Sequence, residues 1–202
     1  MTWNTLPDMP TIERTITALK SHGIEAEVVS DGASARAKLL SLIPKGSKVL
    51  HSSSVTLETI GVIDIVNDSG QYDSIKNALT KLDRTTQRPQ MLKLGASPEY
   101  IIGSVHAVTE TGEVFIASRT GSQLAGYVYG AQQVIWVVGT QKIVKLKEDA
   151  FSRIYDYVLP LEDKHMLDLY GMHSEVAKLL IINKEVVPNR IHLIFVPELL
   201  GF

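Results

Sequence analysis

Residues 100–139, YIIGSVHAVTETGEVFIASRTGSQLAGYVYGAQQVIWVVG, carry the pattern that decides the fold. Residues 100–105, 113–117 and 133–139 are short runs rich in Val, Ile, Phe, Tyr and Trp. Such side chains fit a pleated, buried strand better than a helix. Thr111-Gly112 lies between the first two runs and predicts a hairpin. Residues 122–130 read as a short helix ending at Gly130, which leads into the third run.

Working outward from this block, the same alternation continues on both sides. Towards the N-terminus, Ile12, Ile16 and Leu19 recur at one-face helical spacing after Pro10, and Gly23 marks the stop. Residues 25–30 read as a strand, and Asp31 can cap a second helix reaching about Ile43. Pro44-Lys45-Gly46 is a turn and residues 47–51 a short strand, followed by serines and a helix over residues 56–60. Residues 61–67 fit strand and helix equally, and residues 71–95 are polar with helical stretches. Towards the C-terminus, Leu146, Ala150, Ile154 and Tyr157 mark an amphipathic helix that Pro160 is expected to stop. A helical segment at 161–170 and strands at 178–183 and 191–196 follow.

Strands alternating with helices predict an α/β fold with an open, mostly parallel sheet and helices on both faces. The hairpin at Thr111-Gly112 is expected to make that sheet mixed. Residues 1–202 read as one domain, without repeat, low-complexity tract or linker. Tyr127, Tyr129, Trp136 and residues 199–202 are assigned to the core or to a dimer contact, the core preferred, so a homo-oligomer stays open.

The 202 residues are 45% hydrophobic and 21% charged, ordinary for a globular chain with a substantial core. Twenty Lys and Arg against 22 Asp and Glu leave a formal charge of −2, with no basic stripe interleaved with aromatics. That argues against a nucleic-acid partner. The lack of a basic amphipathic segment argues against a membrane surface. There is no cysteine, which removes disulfides, thiolate nucleophiles and Cys-ligated clusters from this chain. The opening MTWNTLPDMP lacks a basic region followed by an apolar run, so a cytoplasmic location is expected.

Four loops could carry chemistry. In the first, Ser52, Ser53, Ser54 and Thr56 follow a strand and open a helix, where hydroxyls and free amides suit a phosphate or carboxylate. An ordinary serine N-cap reads the same way. The second places His106, Thr109 and Glu110 around the hairpin, where a His and a carboxylate can share acid–base work. A satisfied His and a plain turn carboxylate are the bland alternative. The third holds Arg119, Gly121, Ser122 and Gln123, with Arg119 able to clamp an anion and Gly121 allowing close backbone approach. The fourth supplies Lys142 after the strand at 133–139, either as a positive charge or as a solvated side chain. The first, third and fourth follow carboxyl ends of strands, the edge where open α/β sheets bind ligands. His22, His165, His173 and His192 show no metal-ligand spacing, so no zinc site is expected.

At these loops the chain resembles the lactate-utilisation (LUD) domain family, bacterial cytoplasmic proteins encoded alongside iron–sulfur subunits. The matching stretches are Ser54-Val-Thr-Leu-Glu-Thr-Ile-Gly61, Gly103-Ser-Val-His-Ala-Val-Thr-Glu-Thr-Gly112, Thr120-Gly-Ser-Gln123 and Val134-Ile-Trp-Val-Val-Gly-Thr-Gln-Lys-Ile-Val144. The closing residues 188–202 match as well, and the similarity runs in register from about residue 10 to 202. The resemblance implies a fold similar to phosphosugar isomerases and CoA-transferases. It also implies association with oxidation of L-lactate to pyruvate in a multi-protein system. Three positions depart from the commoner family pattern: Ser52-Ser53 where glycines are frequent, His106 where Asn is frequent, and Ser122-Gln123 where Asn-Arg is frequent.

The leading expectation is an accessory subunit of L-lactate oxidation that binds a small organic acid, or a phosphate- or CoA-like group. Ser52–Thr56 and Ser122 would hold the anion, Arg119 and Lys142 would add charge, and Glu110 with His106 would move protons. No metal or cluster is expected on this chain, so an iron–sulfur protein or a diffusible cofactor would take the electrons. The alternative is a self-contained isomerase-like or acyl/CoA-transferase-like enzyme with Glu110 as base or nucleophile. A third reading is a pure assembly protein. Whether the chain is itself an enzyme stays open at this point.

Overall fold

Asp8 starts the chain's first helix by accepting from the Thr11 amide at 3.0 Å, with Pro10 in the first turn. The computed structural model describes residues 3–202, so residues 1 and 2 of the N-terminal stretch lie outside it. Helix α1 (Met9–Ser21) buries Ile12, Thr15 and Leu19. Strand β1 (Glu25–Val28) follows, then α2 (Gly32–Ser41), capped by Asp31 through the Ser34 amide at 2.7 Å. Next come β2 (Lys48–His51), α3 (Val55–Thr59), α4 (Ile63–Asp68), β3 (Asp73–Ser74), α5 (Ile75–Thr80) and α6 (Arg88–Ala96). Residues 100–139 form β4 (Tyr100–Gly103), β5 (Ala107–Thr109), β6 (Val114–Ser118), a π-helical turn (Gly126–Gly130) and β7 (Gln133–Gly139). A 3-10 turn (Thr140–Lys142) leads to β8 (Ile143–Val144), α7 (Lys147–Ser152), a second π-helical turn (Arg153–Val158) and α8 (Leu159–Tyr170). Strands β9 (Lys178–Ile182) and β10 (Ile191–Val196) complete the order.

The main sheet has six strands in the order β1-β10-β7-β4-β2-β3, and every pair is parallel. Strand β7 shows why the layers form. Trp136 and Val138 point to one face and Ile135 and Val137 to the other, as period-two geometry requires. The second face carries Ala35 and Leu39 of α2, Leu57 of α3 and Val66 of α4. The first face carries Leu19 of α1 and Val108, Val114 and Ile116 of a second sheet. Each fully buried side chain of this size contributes about 1.5–3 kcal/mol. These layers make the expected mixed α/β architecture.

The hairpin sits differently from the expectation. It does not join the main sheet; β5 and β6 belong to a separate four-stranded sheet in the order β8-β5-β6-β9. Residues 100–105 looked like one continuous strand, but β4 ends at Gly103 and the chain bends before Ala107. Residues in both segments are equally apolar and buried, so composition alone does not reveal the break.

Two other expectations resolve in the fold. Residues 61–67, which fitted strand and helix alike, give the helix α4. Pro160 does not stop the helix as expected: the chain runs on as α8. Pro160 has no N–H for the usual bond one turn back, and the backbone answers by widening just ahead of it. The Leu159 amide donates to the Ile154 carbonyl, a π-type bond, and the helix passes through. Among the aromatics, Trp136 and Tyr127 are core, whereas Tyr129 is 90% exposed. Among the described residues, no helix is long and apolar enough to cross a membrane.

Candidate functional site

Parallel pairing puts the carboxyl ends of β2, β4, β7 and β10 on one edge, so the loops after His51, Gly103, Gly139 and Val196 face each other. Lys142 closes the turn after β7 and is only 3% exposed. Its Nζ donates to Thr56 Oγ1 and to Ser104 Oγ, each at 3.2 Å. Thr56 Oγ1 in turn donates to the Leu200 carbonyl at 3.1 Å, and Gln141 Nε2 donates to the same carbonyl at 3.0 Å. The tail is pressed in tightly. Gly201 has φ +63, and a Cβ there would lie 2.6 Å from Thr56 Oγ1 and 3.4 Å from Lys142 Nζ. Glycine is required at that point on both steric and conformational grounds.

A second buried cation belongs to the same region: Ala150 and Ile154, on either side of Arg153, pack with Val144 and Ala107. Arg153, at the start of the π-turn, is fully buried, and Nε and both terminal nitrogens lack hydrogen-bond partners. Its guanidinium stands 5.3 Å from the centroid of the Tyr157 ring. Among the described residues neither Lys142 nor Arg153 forms an ion pair. Burial, helped by the Arg153 charge, pushes Lys142 down to about 7. Burial also brings Arg153 down to about 10, opposed by Tyr157. Two buried cations that bear on each other without a carboxylate are costly, and either loss of the lysine proton or a bound anion relieves the cost.

His106 borders this pair. Its Nδ1 accepts from the Ala117 amide at 3.1 Å, so the ring's proton is assigned to Nε2. Burial, then the Lys142 and Arg153 charges, hold His106 down at about 3, so the ring is neutral at ordinary pH. His106 and Ser104 are partly exposed and form the solvent side of the cluster. Helix α8 passes near: His165 meets the Phe202 ring edge-on, with centroids 5.9 Å apart. On the same helix Glu162 is held above its usual range by burial, opposed by His165 and assisted by Glu58. Two open grooves of the surface lie elsewhere. One of about 360 Å³ runs between Asp31, Arg36, Thr59 and Glu198 and contains neither Lys142 nor Arg153.

The other expected residues are distributed unevenly. Ser52 stands at the end of β4: a Cβ on Gly103 would lie 2.6 Å from its hydroxyl and 1.9 Å from Tyr127 Oη. Burial pushes the Tyr127 hydroxyl up to about 12. Ser53 is exposed, and Ser54 caps the five-residue α3 through the Leu57 amide at 3.4 Å. Glu110 turns to α1 and pairs with Arg14 at 3.3 Å. Thr109 serves the hairpin, where its hydroxyl donates to Glu113. Arg119 is exposed and 3.9 Å from Glu175, while Gly121, with φ +82, donates its amide to Ser118 Oγ at 2.9 Å. Ser118 Oγ also donates to Gln123 Oε1 at 3.1 Å, and the exposed Ser122 donates its amide to Thr120 Oγ1 at 3.3 Å. The structure therefore joins Thr56 to Lys142, puts His106 within reach of the Lys142 charge, sets Ser52 against Gly103, and leaves Glu110, Thr109, Arg119, Gly121, Ser122 and Gln123 with other contacts.

Arg153, Ser104 and Tyr127 were not among the expected site residues. Arg153 had a readable signal: it falls three residues after Ala150 and four before Tyr157, on the apolar stripe of its own helix. A cation on a buried stripe needs a partner. Among the described residues no cluster of three or more His, Asp or Glu is arranged to hold a metal ion.

Comparison with solved structures finds a DUF162 family protein from Deinococcus radiodurans, with a TM-score of 0.57 at 12% identity, covering 95% of this chain and 99% of that one. A 5-methylthioribose 1-phosphate isomerase from Pyrococcus horikoshii OT3 also matches, over 58% of this chain and 40% of the other, at 11% identity and a TM-score of 0.32. Comparison with curated protein sequences finds no match. The first likeness confirms the fold. The LUD domain family matches residues 12–196. The chain belongs to the LUD domain family and is, in that general sense, a lactate-utilisation-type protein.

Proposed function

We propose that the Lys142–Arg153 cluster binds the carboxylate of a small 2-hydroxy or 2-oxo acid of the lactate and pyruvate class. One observation carries this reading: a fully buried guanidinium with three unpartnered nitrogens, whose charge bears on a buried lysine that meets only hydroxyls. A guanidinium fork matches a carboxylate with two parallel hydrogen bonds, and burial strengthens them. In lactate oxidation the chain would then act as an accessory subunit that holds the organic acid. The two electrons would pass to a partner such as an iron–sulfur protein, or to a diffusible cofactor. The self-contained isomerase or acyl-transferase alternative relied on Glu110, whose carboxylate is paired with Arg14 and gains no support from the cluster.

Thermal unfolding with and without pyruvate, L-lactate, acetate and inorganic phosphate tests the reading. Pyruvate or L-lactate is expected to raise Tm in a saturable way, and Arg153→Met to abolish that rise. Arg153→Met is also expected to leave the free protein at least as stable, because it removes an unpaired buried charge. A ligand-induced rise that survives Arg153→Met would sink the assignment.

A further inference from the structure

The contacts of Lys142 suit a nucleophile more than a fixed counter-charge. A carboxylate partner would lock the ammonium form. Hydroxyls do not: both accept from NH₃⁺, and the Ser104 hydroxyl can turn to donate to a neutral amine while the Thr56 proton stays on the Leu200 carbonyl. Lys142 reaches only Thr56 Oγ1 and Ser104 Oγ. Those two contacts leave the third valence of the nitrogen unassigned. The side chain is held still by burial and by a short 3-10 turn whose neighbour Gln141 is tied to the C-terminal tail. Ala150 and Ile154, on either side of Arg153, pack with Val144 and Ala107, two positions from Lys142 and one from His106, so an acid docked on the guanidinium lies on the lysine's side of the fold. A 2-oxo acid has a carbonyl at that carbon.

We propose that Lys142 condenses with the carbonyl of a small 2-oxo acid to form an imine, while Arg153 holds the acid's carboxylate. This rests on the anion-binding reading above and deepens it. The nitrogen lone pair forms the C–N bond as the carbonyl π pair moves to oxygen. That oxygen collects the two hydrogens of the neutral amine and leaves as water, with the Ser104 hydroxyl placed to relay them. The balance is amine plus 2-oxo acid giving imine plus water, with no oxidant or reductant consumed. A lysine near neutrality supplies free amine at ordinary pH, and the placement of Lys142 at about 7 meets that need. A 2-hydroxy acid has no carbonyl and can bind only without condensing. The two forms of the lactate–pyruvate couple would thus be told apart by covalent capture of one of them.

The test is reductive trapping of the intact protein. Pyruvate and sodium cyanoborohydride are added, and intact mass with peptide mapping locates any adduct. One saturable adduct at Lys142 is expected, with none when L-lactate replaces pyruvate. Arg153→Met should lower its yield at least about tenfold, the loss expected with one charge-assisted pair. If pyruvate raises Tm and no adduct forms at Lys142, the imine is overturned while carboxylate binding stands. Adducts spread evenly over exposed lysines would likewise overturn it. If pyruvate neither raises Tm nor becomes trapped, both readings fall together.

Discussion

Lys142 Nζ lies 3.2 Å from Thr56 Oγ1, a contact that joins two loops 86 positions apart in the chain. It ties the turn after β7 to the start of α3, and the Leu200 carbonyl closes the same knot from the C-terminal side. The bond is a cation on a neutral hydroxyl in a buried setting. Such a pair leaves most of the desolvation cost of the charge uncompensated. The fold therefore tolerates a destabilising lysine at the edge where open α/β sheets bind ligands, which is the usual mark of a functional position.

That cost sets a pH dependence. Below about 7 Lys142 carries its proton in both folded and unfolded states, and the folded state bears the full burial penalty. From about 7 to its ordinary value of 10.5, the unfolded state still binds the proton and the folded state does not, so stability rises with pH. Lys142→Met has similar length and no charge. It should be more stable than the parent at pH 6.5, and the advantage should shrink by on the order of 2 kcal/mol by pH 9. Urea unfolding at several pH values reads this directly. An advantage that does not change with pH would mean that Lys142 ionises normally.

His106 should act at the acid end. Its value of about 3 lies below the ordinary 6.5, so the unfolded state takes up a proton first as pH falls through that window. Stability from this group is complete above 6.5 and declines towards 3. In His106→Asn the side-chain oxygen can take the place of Nδ1 and accept from the Ala117 amide, keeping the bond now 3.1 Å long. The variant should match the parent at pH 7 and exceed it by on the order of 2 kcal/mol at pH 4.5. Parallel decline of both proteins between pH 7 and 4.5 would remove His106 from the account.

Much of the fold can be read from the sequence for a plain reason. A strand with both faces buried, such as 134–138, has no polar position to spare, and the helices carry explicit caps at Asp8 and Asp31. The need for glycine at 103, where β4 ends, is not readable that way, because it is non-local: the Tyr127 and Ser52 hydroxyls occupy the space a Cβ would need. The same distinction separates the expected site residues. Lys142 and Thr56 follow strand ends, so topology alone brings them together. Glu110 and Arg119 are hairpin and loop charges whose partners, Arg14 and Glu175, come from remote segments. Residue type cannot foretell such pairings. Arg153 was hidden by its helix, where only its place on the apolar stripe distinguished it from a solvated arginine.

Thr109 should prove to matter for stability and not for ligand binding. Its hydroxyl donates to the Glu113 carboxylate and accepts from the Glu113 amide at 2.9 Å. Thr111 donates to the same carboxylate at 2.6 Å, and Lys147 pairs with it at 3.0 Å. Burial works against ionisation of Glu113, but these partners outweigh it and bring the group down to about 2. Its contribution is present above its ordinary 4.5 and is lost as pH falls towards 2. Thr109→Val keeps the shape and removes both bonds, so a loss of about 2 kcal/mol is expected at pH 7. The Tm rise with pyruvate should persist in the variant. Its disappearance in a folded Thr109→Val would place the hairpin in the binding site.

Gly103 is the last residue of β4, and its hydrogen atom faces Tyr127 Oη and the Ser52 hydroxyl. A methyl group there would come within 1.9 Å of Oη, and Tyr127 is fixed in the core with its ring edge-on to Trp136 at 5.3 Å. Ser52 can rotate away; Tyr127 cannot. Gly103→Ala should therefore cost about 1–3 kcal/mol through overpacking. Tyr127→Phe alone should be close to neutral, since it removes a buried hydroxyl without a well-formed hydrogen bond. In the double variant the oxygen is gone and the next atom, Cζ, would be 3.1 Å from the methyl, so part of the Gly103→Ala cost should return. A coupling of about 0.5–2 kcal/mol by urea unfolding is the expected size for residues in contact. Strictly additive effects would show that the β4 end yields by backbone movement, and that the glycine is not there to admit the tyrosine.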